Sequence, residues 1–404
     1  MITTCHPIAV IGAGGRGSNL TESALQSSAG RFKVKAVVEP DQDAARTYCE
    51  KFELREAARF DRIEQLLAAG LDLDAAIIAN PPHVHADPAC ALLEAGVPTY
   101  LEKPMAADLA GARRIMESAR KSGTRLQAGF NLRYAPFFMK IQDTVATGRV
   151  GQVLSVEWKE ILDCHHWATY CWHPSYDRSE IIGSWLLEKC CHDLDQLAWI
   201  IGSRCVRVGS FGSRSYFKPR DDVPDYCTDN CPIEPQCNFS AYRFYPQLKE
   251  ADCRLPRWRS RCVFNNDSDH VDHQSSILEY ENGATAAFSL MSLGPTNNRQ
   301  CRVCGSEATL VADLETGQIR LHPYHQQEVV LDPGEVSTDG HGGSDGRIIA
   351  AFFDYLDDPS RTPKTTAAEG WDAMVTAIAI DRACKEKRVI AIDEVERAGT
   401  SSVR

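Results

Sequence analysis

One hexapeptide limits the fold more than anything else in this chain. Gly12-Ala13-Gly14-Gly15-Arg16-Gly17 follows an apolar run at 7–11 and opens a stretch, 16–29, that reads as a helix closed by Gly30. Glycines at this spacing between strand and helix suit a dinucleotide pyrophosphate. Gly12 permits the tight turn, Gly14 lets the backbone approach the phosphates, and Gly17 lets the helix pack against the strand. Gly15 and Arg16 complete the loop, whose N–H groups face an anion at the helix N-terminus. An acidic residue, Glu39, ends the next apolar run at 34–38. A carboxylate there accepts hydrogen bonds from an adenosine ribose diol and repels a 2′-phosphate. Pro40 and Asp41 offer no cation, so the expected cofactor is NAD over NADP.

The pattern around the hexapeptide repeats. Short apolar runs at 75–79, 97–101 and 125–129 alternate with helical stretches at 41–52, 83–95 and 109–121. Alternation of this kind, with near-continuous apolar strands, means a parallel sheet covered on both faces. Beyond a helix at 134–147 the character changes to longer strands at 153–161 and 206–212. Hairpin signals follow at Glu281-Asn282-Gly283 and Glu315-Thr316-Gly317, each between apolar runs. Shorter strands at 302–303 and 328–331 and helices at 345–356 and 367–387 complete the pattern. The expectation is α/β: a Rossmann dinucleotide-binding domain at 1–125, then an α/β domain at 126–404 with an open, mostly antiparallel sheet. Residues 213–272 form a Cys- and Pro-rich insertion with little periodicity.

Composition excludes several classes. Hydrophobic residues make up 43% of the 404 and charged residues 25%, which is ordinary for a globular chain. The net charge of −11 argues against a nucleic-acid partner. No apolar run approaches the ~20 residues of a membrane helix. The first residues lack a basic stretch followed by an apolar one, so the expected location is cytoplasmic.

Tyr100-Leu101-Glu102-Lys103-Pro104 ends a parallel strand, and the carboxyl ends of such strands face the ligand crevice. With Asn80-Pro81-Pro82-His83-Val84-His85 and Gly129-Phe130-Asn131-Leu132-Arg133-Tyr134, it makes the chain resemble, over essentially its whole length, the glucose–fructose oxidoreductase, inositol dehydrogenase and MocA family. That resemblance implies that Asn80, Pro81 and His85 line the middle of the cofactor. Glu102 and Lys103 would reach the nicotinamide ribose and the reacting carbinol, and Asn131 would add a cofactor or substrate contact. His83 and His85 read equally well as polar residues of a first helical turn. The resemblance also implies a homo-oligomer, dimer or tetramer, paired through the outer face of the second sheet.

The stretch 183–202 reads as one helix with Leu187, Cys190, Cys191, Leu194, Ala198 and Ile201 on its buried stripe. Glu188 and His192 lie one turn apart beside that stripe. Family enzymes commonly carry an Asp and a His at this spacing; here a glutamate takes the first place, and Lys189 is a further candidate for the site. His192 would serve as general base, Lys103 would stabilise an alkoxide, and Glu188 would orient the imidazole or the substrate.

Residues 163–176 read as an aromatic, His-rich loop in which His165, Trp172 and Tyr176 either bind a small carbohydrate-like substrate or pack on the domain. His341, in a Gly-rich stretch before a helix, is a further substrate candidate. Of sixteen cysteines, Cys227, Cys231 and Cys237 fall within the insertion, followed by Cys253 and Cys262. Cys227, Cys231, Cys237 and Cys262 read as a structural zinc site, with an iron–sulfur cluster or free or disulfide-bonded cysteines as alternatives.

Three functions fit. The first is an NAD-dependent oxidoreductase acting on a secondary hydroxyl of a sugar, polyol or glycoside. The second is an NAD-dependent glycoside hydrolase working by transient oxidation, elimination and re-reduction. The third is a non-catalytic NAD-sensing regulator, against which Lys103 and His192 argue.

Overall fold

The computed structural model describes residues 4–173, 176–250, 253, 255–334, 343–358 and 360–398. The first sheet is built from β1 (His6–Ile11), β2 (Phe32–Val38), β3 (Ala58–Phe60), β4 (Ala75–Ile78), β5 (Thr99–Leu101) and β6 (Leu126–Ala128), in the order β3-β2-β1-β4-β5-β6. All its pairings are parallel. Helices α1 (Gly15–Ser27), α2 (Gln42–Lys51), α3 (Ile63–Ala68), α4 (Ala86–Glu94) and α5 (Leu109–Ser122) connect the strands. Ile8, Val10, Ile77 and Ile78 are fully buried, as strands covered on both faces must be. This is the Rossmann architecture.

A 3₁₀ turn, Asn131–Tyr134, leads to α6 (Pro136–Ala146) and into the second domain. There the elements are β7 (Val153–Asp163), α7 (Cys164–Trp172), α8 (Ser179–Ile182), α9 (Trp185–Ile201), β8 (Cys205–Ser213) and, within the insertion, α10 (Ala241–Phe244). Next come β9 (His273–Tyr280), β10 (Thr285–Gly294), β11 (Asn298–Gly305), β12 (Ala308–Asp313), β13 (Gln318–Pro323) and β14 (Val329–Leu331). The chain continues through α11 (Ser344–Asp357), α12 (Ala367–Glu386), β15 (Ile390–Ala391) and α13 (Ile392–Ala398). The second sheet runs β14-β13-β12-β11-β7-β10-β9-β8-β15 and is antiparallel except between β7 and β10.

The domain division differs from the sequence reading in two respects. Strand β6 belongs to the first sheet, paired to β5, so that domain runs past residue 125. Helix α11 also returns to it: Ile348, Ile349, Phe352 and Phe353 share one core with Ile8, Val10, Val34 and Val37. Their spacing puts all four on one helical stripe, which needs an apolar surface to cover it.

Helix α9 is buried on nearly every side, between α12, α6 and the inner face of the second sheet. Ser184 caps its start, with its hydroxyl accepting from Leu187 N, and left-handed Gly202 ends it. A helix so enclosed holds its polar side chains rigidly. The outer face of the same sheet carries exposed Phe211, Ile277 and Met291. Among the described residues no helix is long and apolar enough to cross a membrane.

Candidate active site

The glycine loop is shaped as its sequence demands. Gly12 has φ +96°, and a Cβ there would lie 2.6 Å from the backbone nitrogen of Asn80. A Cβ on Gly17 would lie 2.0 Å from the Gly12 carbonyl oxygen. Gly14 caps α1 without a side-chain hydrogen bond, which leaves the N–H groups of Gly15, Arg16 and the rest of the first turn to an anionic ligand. The Glu39 carboxylate accepts from Ala13 N at 2.9 Å and from Asp41 N at 3.1 Å, which ties the end of β2 to the loop. Beside it opens a pocket of about 340 Å³ that Gly12, Glu39, Asn80 and Pro81 line together. Arg62, which caps α3, also lines it; the sequence reading missed it because a three-residue strand ending at Phe60 left no periodicity to notice.

Asn80 Oδ1 and Asn131 Oδ1 are buried and lack hydrogen-bond partners among the described residues. Buried amide oxygens are normally satisfied, so the two mark places for a ligand's donors. With the glycine cradle and the Glu39 carboxylate, the residues present fit NAD. His85 plays a different part from the one expected: it is fully buried, and its ring nitrogens lie 2.7 and 3.0 Å from the carbonyl oxygens of Asn80 and Pro104. It braces two loops rather than facing a ligand. His83 is exposed at the surface turn.

Arg16 also turns inward. Its guanidinium donates to Glu102 Oε1 at 2.8 Å and to the Asp345 carboxylate at 2.7 and 2.9 Å. Asn131 Nδ2 donates to the same Asp345 at 2.7 Å, and Tyr100 O–H to Glu102 at 2.9 Å. This network joins α1, β5, the turn at Asn131 and α11 around the cofactor side of the crevice.

Lys103 follows β5, and its ammonium crosses to α9, where it donates to the Glu188 carbonyl at 2.8 Å and to Glu188 Oε1 at 3.3 Å. Burial lowers the Lys103 pKa, but Glu188, then Cys191 and Glu102, outweigh it and leave the group above an ordinary lysine. Lys103 is therefore a cation at working pH. His192, one helical turn on from Glu188, is buried with its ring edge-on to Phe130 at 6.0 Å. The second Glu188 oxygen accepts the O–H of Tyr170. Tyr176, pushed up to about 12 by burial, packs edge-on against Tyr170 at 5.6 Å. Lys189 faces away, towards the sheet, and pairs with Glu160 at 3.4 Å.

Other expected contacts fall elsewhere. The stretch read as an aromatic loop is mostly helix α7, capped by Asp163, which accepts from His166 N at 2.7 Å. Trp172 is fully buried, and His165 lies against Phe244 at 4.6 Å, so both seat the insertion on α7 rather than lining the crevice. His341 lies outside the described residues. In the insertion, an antiparallel bridge between Tyr226 and Arg261 puts Cys227 and Cys262 on one face. Burial pushes Cys227 up to about 11, and the thiols of Cys262, Cys231 and Cys237 add to that. Yet among the described residues no three His, Cys, Asp or Glu side chains are gathered into a metal-binding group. Cys227 and Cys262 are buried in the apolar core, and Cys231 and Cys237 pack against it.

A Rossmann domain joined to a large antiparallel sheet, with a lysine and a glutamate meeting between them, defines a two-domain oxidoreductase fold. A family model described as an oxidoreductase family with an NAD-binding Rossmann fold matches residues 7–130, and the GFO/IDH/MocA C-terminal domain matches 138–311. The chain belongs to the Gfo/Idh/MocA family of oxidoreductases. It is 23% identical to YteT of Bacillus subtilis, described as an oxidoreductase, over 80% of this chain and 82% of that protein. It is 30% identical to inositol 2-dehydrogenase of Corynebacterium glutamicum, over 50% of this chain and 56% of that protein. An oxidoreductase from Agrobacterium radiobacter, solved with NAD+, L-tartaric acid and magnesium, has a TM-score of 0.74 at 14% identity and covers 96% of this chain and 99% of its own.

Proposed function

We propose that this protein transfers a hydride between NAD and a secondary hydroxyl of a sugar, polyol or glycoside. The observation that carries the reading is the Lys103–Glu188 contact, made across the crevice where β5 of the first domain meets α9 of the second. Bound NAD would sit on the glycine cradle with Glu39, Asn80 and Asn131 as donors and acceptors, and its nicotinamide would supply the hydride acceptor. His192 takes the hydroxyl proton of the substrate, the general-base role for which imidazole is the commonest side chain. Lys103 stabilises the developing alkoxide by charge and hydrogen bonding. Glu188 holds the Lys103 ammonium and sets its direction. The test is incubation with NAD and a panel of myo-inositol, glucose, methyl β-glucoside and glucuronate. Stoichiometric NADH with an oxidised product supports the reading. Aglycone release without net NADH would replace it with redox-neutral hydrolysis.

Two narrower proposals accompany it. The exposed Phe211, Ile277 and Met291 support pairing of two copies through the outer sheet face; light scattering of Phe211→Asp, expected to be monomeric, tests it. The all-thiol set and mutual proximity of Cys227, Cys231, Cys237 and Cys262 support a structural zinc ion drawn in by movement of those side chains. Elemental analysis that finds no stoichiometric zinc discards it.

A further inference from the structure

We propose that Tyr170 is a positioning residue for the Lys103–Glu188 pair, an inference that rests on the reading above. The Glu188 carboxylate is held from two sides: Oε1 faces the Lys103 ammonium at 3.3 Å, and Oε2 accepts the Tyr170 O–H. A glutamate has one more rotatable bond than an aspartate, so a single contact to lysine leaves its carboxylate free to swing. A phenol on the second oxygen removes that freedom.

Tyr170 is itself fixed. Its ring meets the Trp185 ring edge-on at 4.2 Å and the Tyr176 ring at 5.6 Å, and it stacks on His166 at 6.0 Å. Trp185 is anchored in turn, with Nε1 donating to Ser292 on β10 at 3.2 Å. A chain of contacts therefore runs from the second sheet through Trp185, Tyr170 and Glu188 to Lys103 in the first domain. His166, stacked on the same phenol ring, adds no charge there: burial, with Lys189 and Lys103 nearby, holds its pKa down to about 2, so it stays neutral. Tyr170 is then the neighbour that supplies a hydrogen-bond donor without supplying charge. The Lys103 ammonium keeps its full positive charge for an alkoxide while Glu188 keeps its geometry.

Tyr170→Phe tests this because it removes only the O–H and preserves ring packing. With whichever compound of the panel turns over, kcat is expected to fall by about tenfold to a hundredfold, the scale of a small misplacement of a reacting group. KM and NADH affinity, read by NADH fluorescence, should stay at wild-type values. In a Glu188→Ala background the same change should cost nothing more, since Tyr170 acts through Glu188. Wild-type kcat in Tyr170→Phe, or fully additive losses in the double variant, would overturn the proposal. A crystal structure of Tyr170→Phe with NAD decides the matter independently of any substrate. Glu188 is expected to leave Lys103, and an unmoved carboxylate sinks the positioning role. Absence of turnover by the wild-type protein on the whole panel would count instead against the proposed function.

Discussion

The Lys103 ammonium donates to both the main-chain carbonyl and the carboxylate of Glu188, at 2.8 and 3.3 Å. One side chain thus joins the end of a Rossmann strand to the first turn of a helix buried in the other domain. The contact fixes a positive charge at the end of β5, next to Glu102, which Arg16 of the glycine loop also holds.

That placement predicts the outcome of removing the charge. Lys103→Met should lower kcat by about 10²–10³-fold, the typical loss when one stabiliser of a developing oxyanion is removed. NADH affinity should change little, because the glycine loop and Glu39 hold the dinucleotide. His192→Ala should cost about 10²–10⁴-fold as loss of a general base. Steady-state kinetics with parallel NADH titration separates the two effects. Near-normal turnover in both variants would refute the assignment.

Glu39 predicts the cofactor. Its carboxylate is fixed by Ala13 N and Asp41 N, so it cannot swing aside for a 2′-phosphate without losing two hydrogen bonds. NAD should bind more tightly than NADP, and Glu39→Ser should narrow the gap mainly by weakening NAD. Arg62 lines the same pocket, so Arg62→Ala in that background should weaken NADP. Calorimetric titration of the three proteins with both cofactors measures all six affinities; a wild-type preference for NADP would remove the argument.

The legible parts of the site were local in sequence. The glycine loop, Glu39, Glu102-Lys103-Pro104 and the Glu188–His192 spacing each declare themselves within a few residues, because a strand end or one helical turn fixes the geometry. What the sequence hid was pairing between distant elements. Arg16 and Asp345 are 329 positions apart and meet only because α11 folds back on the first domain. Tyr170 was passed over because α7 looked like a loop: its Trp, Tyr and His residues show no clean stripe, being buried on more than one side. The Asp163 cap was the available signal, an acidic residue whose side chain satisfies the N–H three positions on. His85 and Trp172 misled for the opposite reason, since residue type alone does not separate a buried brace from a ligand contact.

Gly17 gives a stability prediction with no cofactor needed. A methyl group there would collide with the Gly12 carbonyl at 2.0 Å, and backbone cannot rotate away as a side chain can. Gly17→Ala should therefore lower the melting temperature of the apo protein and abolish measurable NADH binding. Gly14→Ala meets nothing within 4 Å of the new methyl and should leave apo stability unchanged while weakening NADH. Equal melting temperatures for wild type and Gly17→Ala would show that α1 sits farther from the loop.

Glu160 should contribute stability that falls as pH rises towards neutrality. Burial raises its pKa from 4.5; Arg299 and Lys189 pull it down, and Asp193 adds to the rise. The folded chain therefore holds this proton more tightly than the unfolded chain does. Folding takes up a proton in that window, so each increase in pH there works against the folded state. The stabilisation is complete below the ordinary glutamate range and is lost as pH passes the raised value. Glu160→Gln keeps an amide among the same partners but has no proton to lose. The melting temperature of wild type relative to Glu160→Gln should drop between pH 4.5 and neutrality, then level off. A difference that stays constant across that range would mean that Arg299 and Lys189 keep Glu160 ionised throughout, and that the buried cluster on β7, α9 and β11 is a permanent pair of ion pairs.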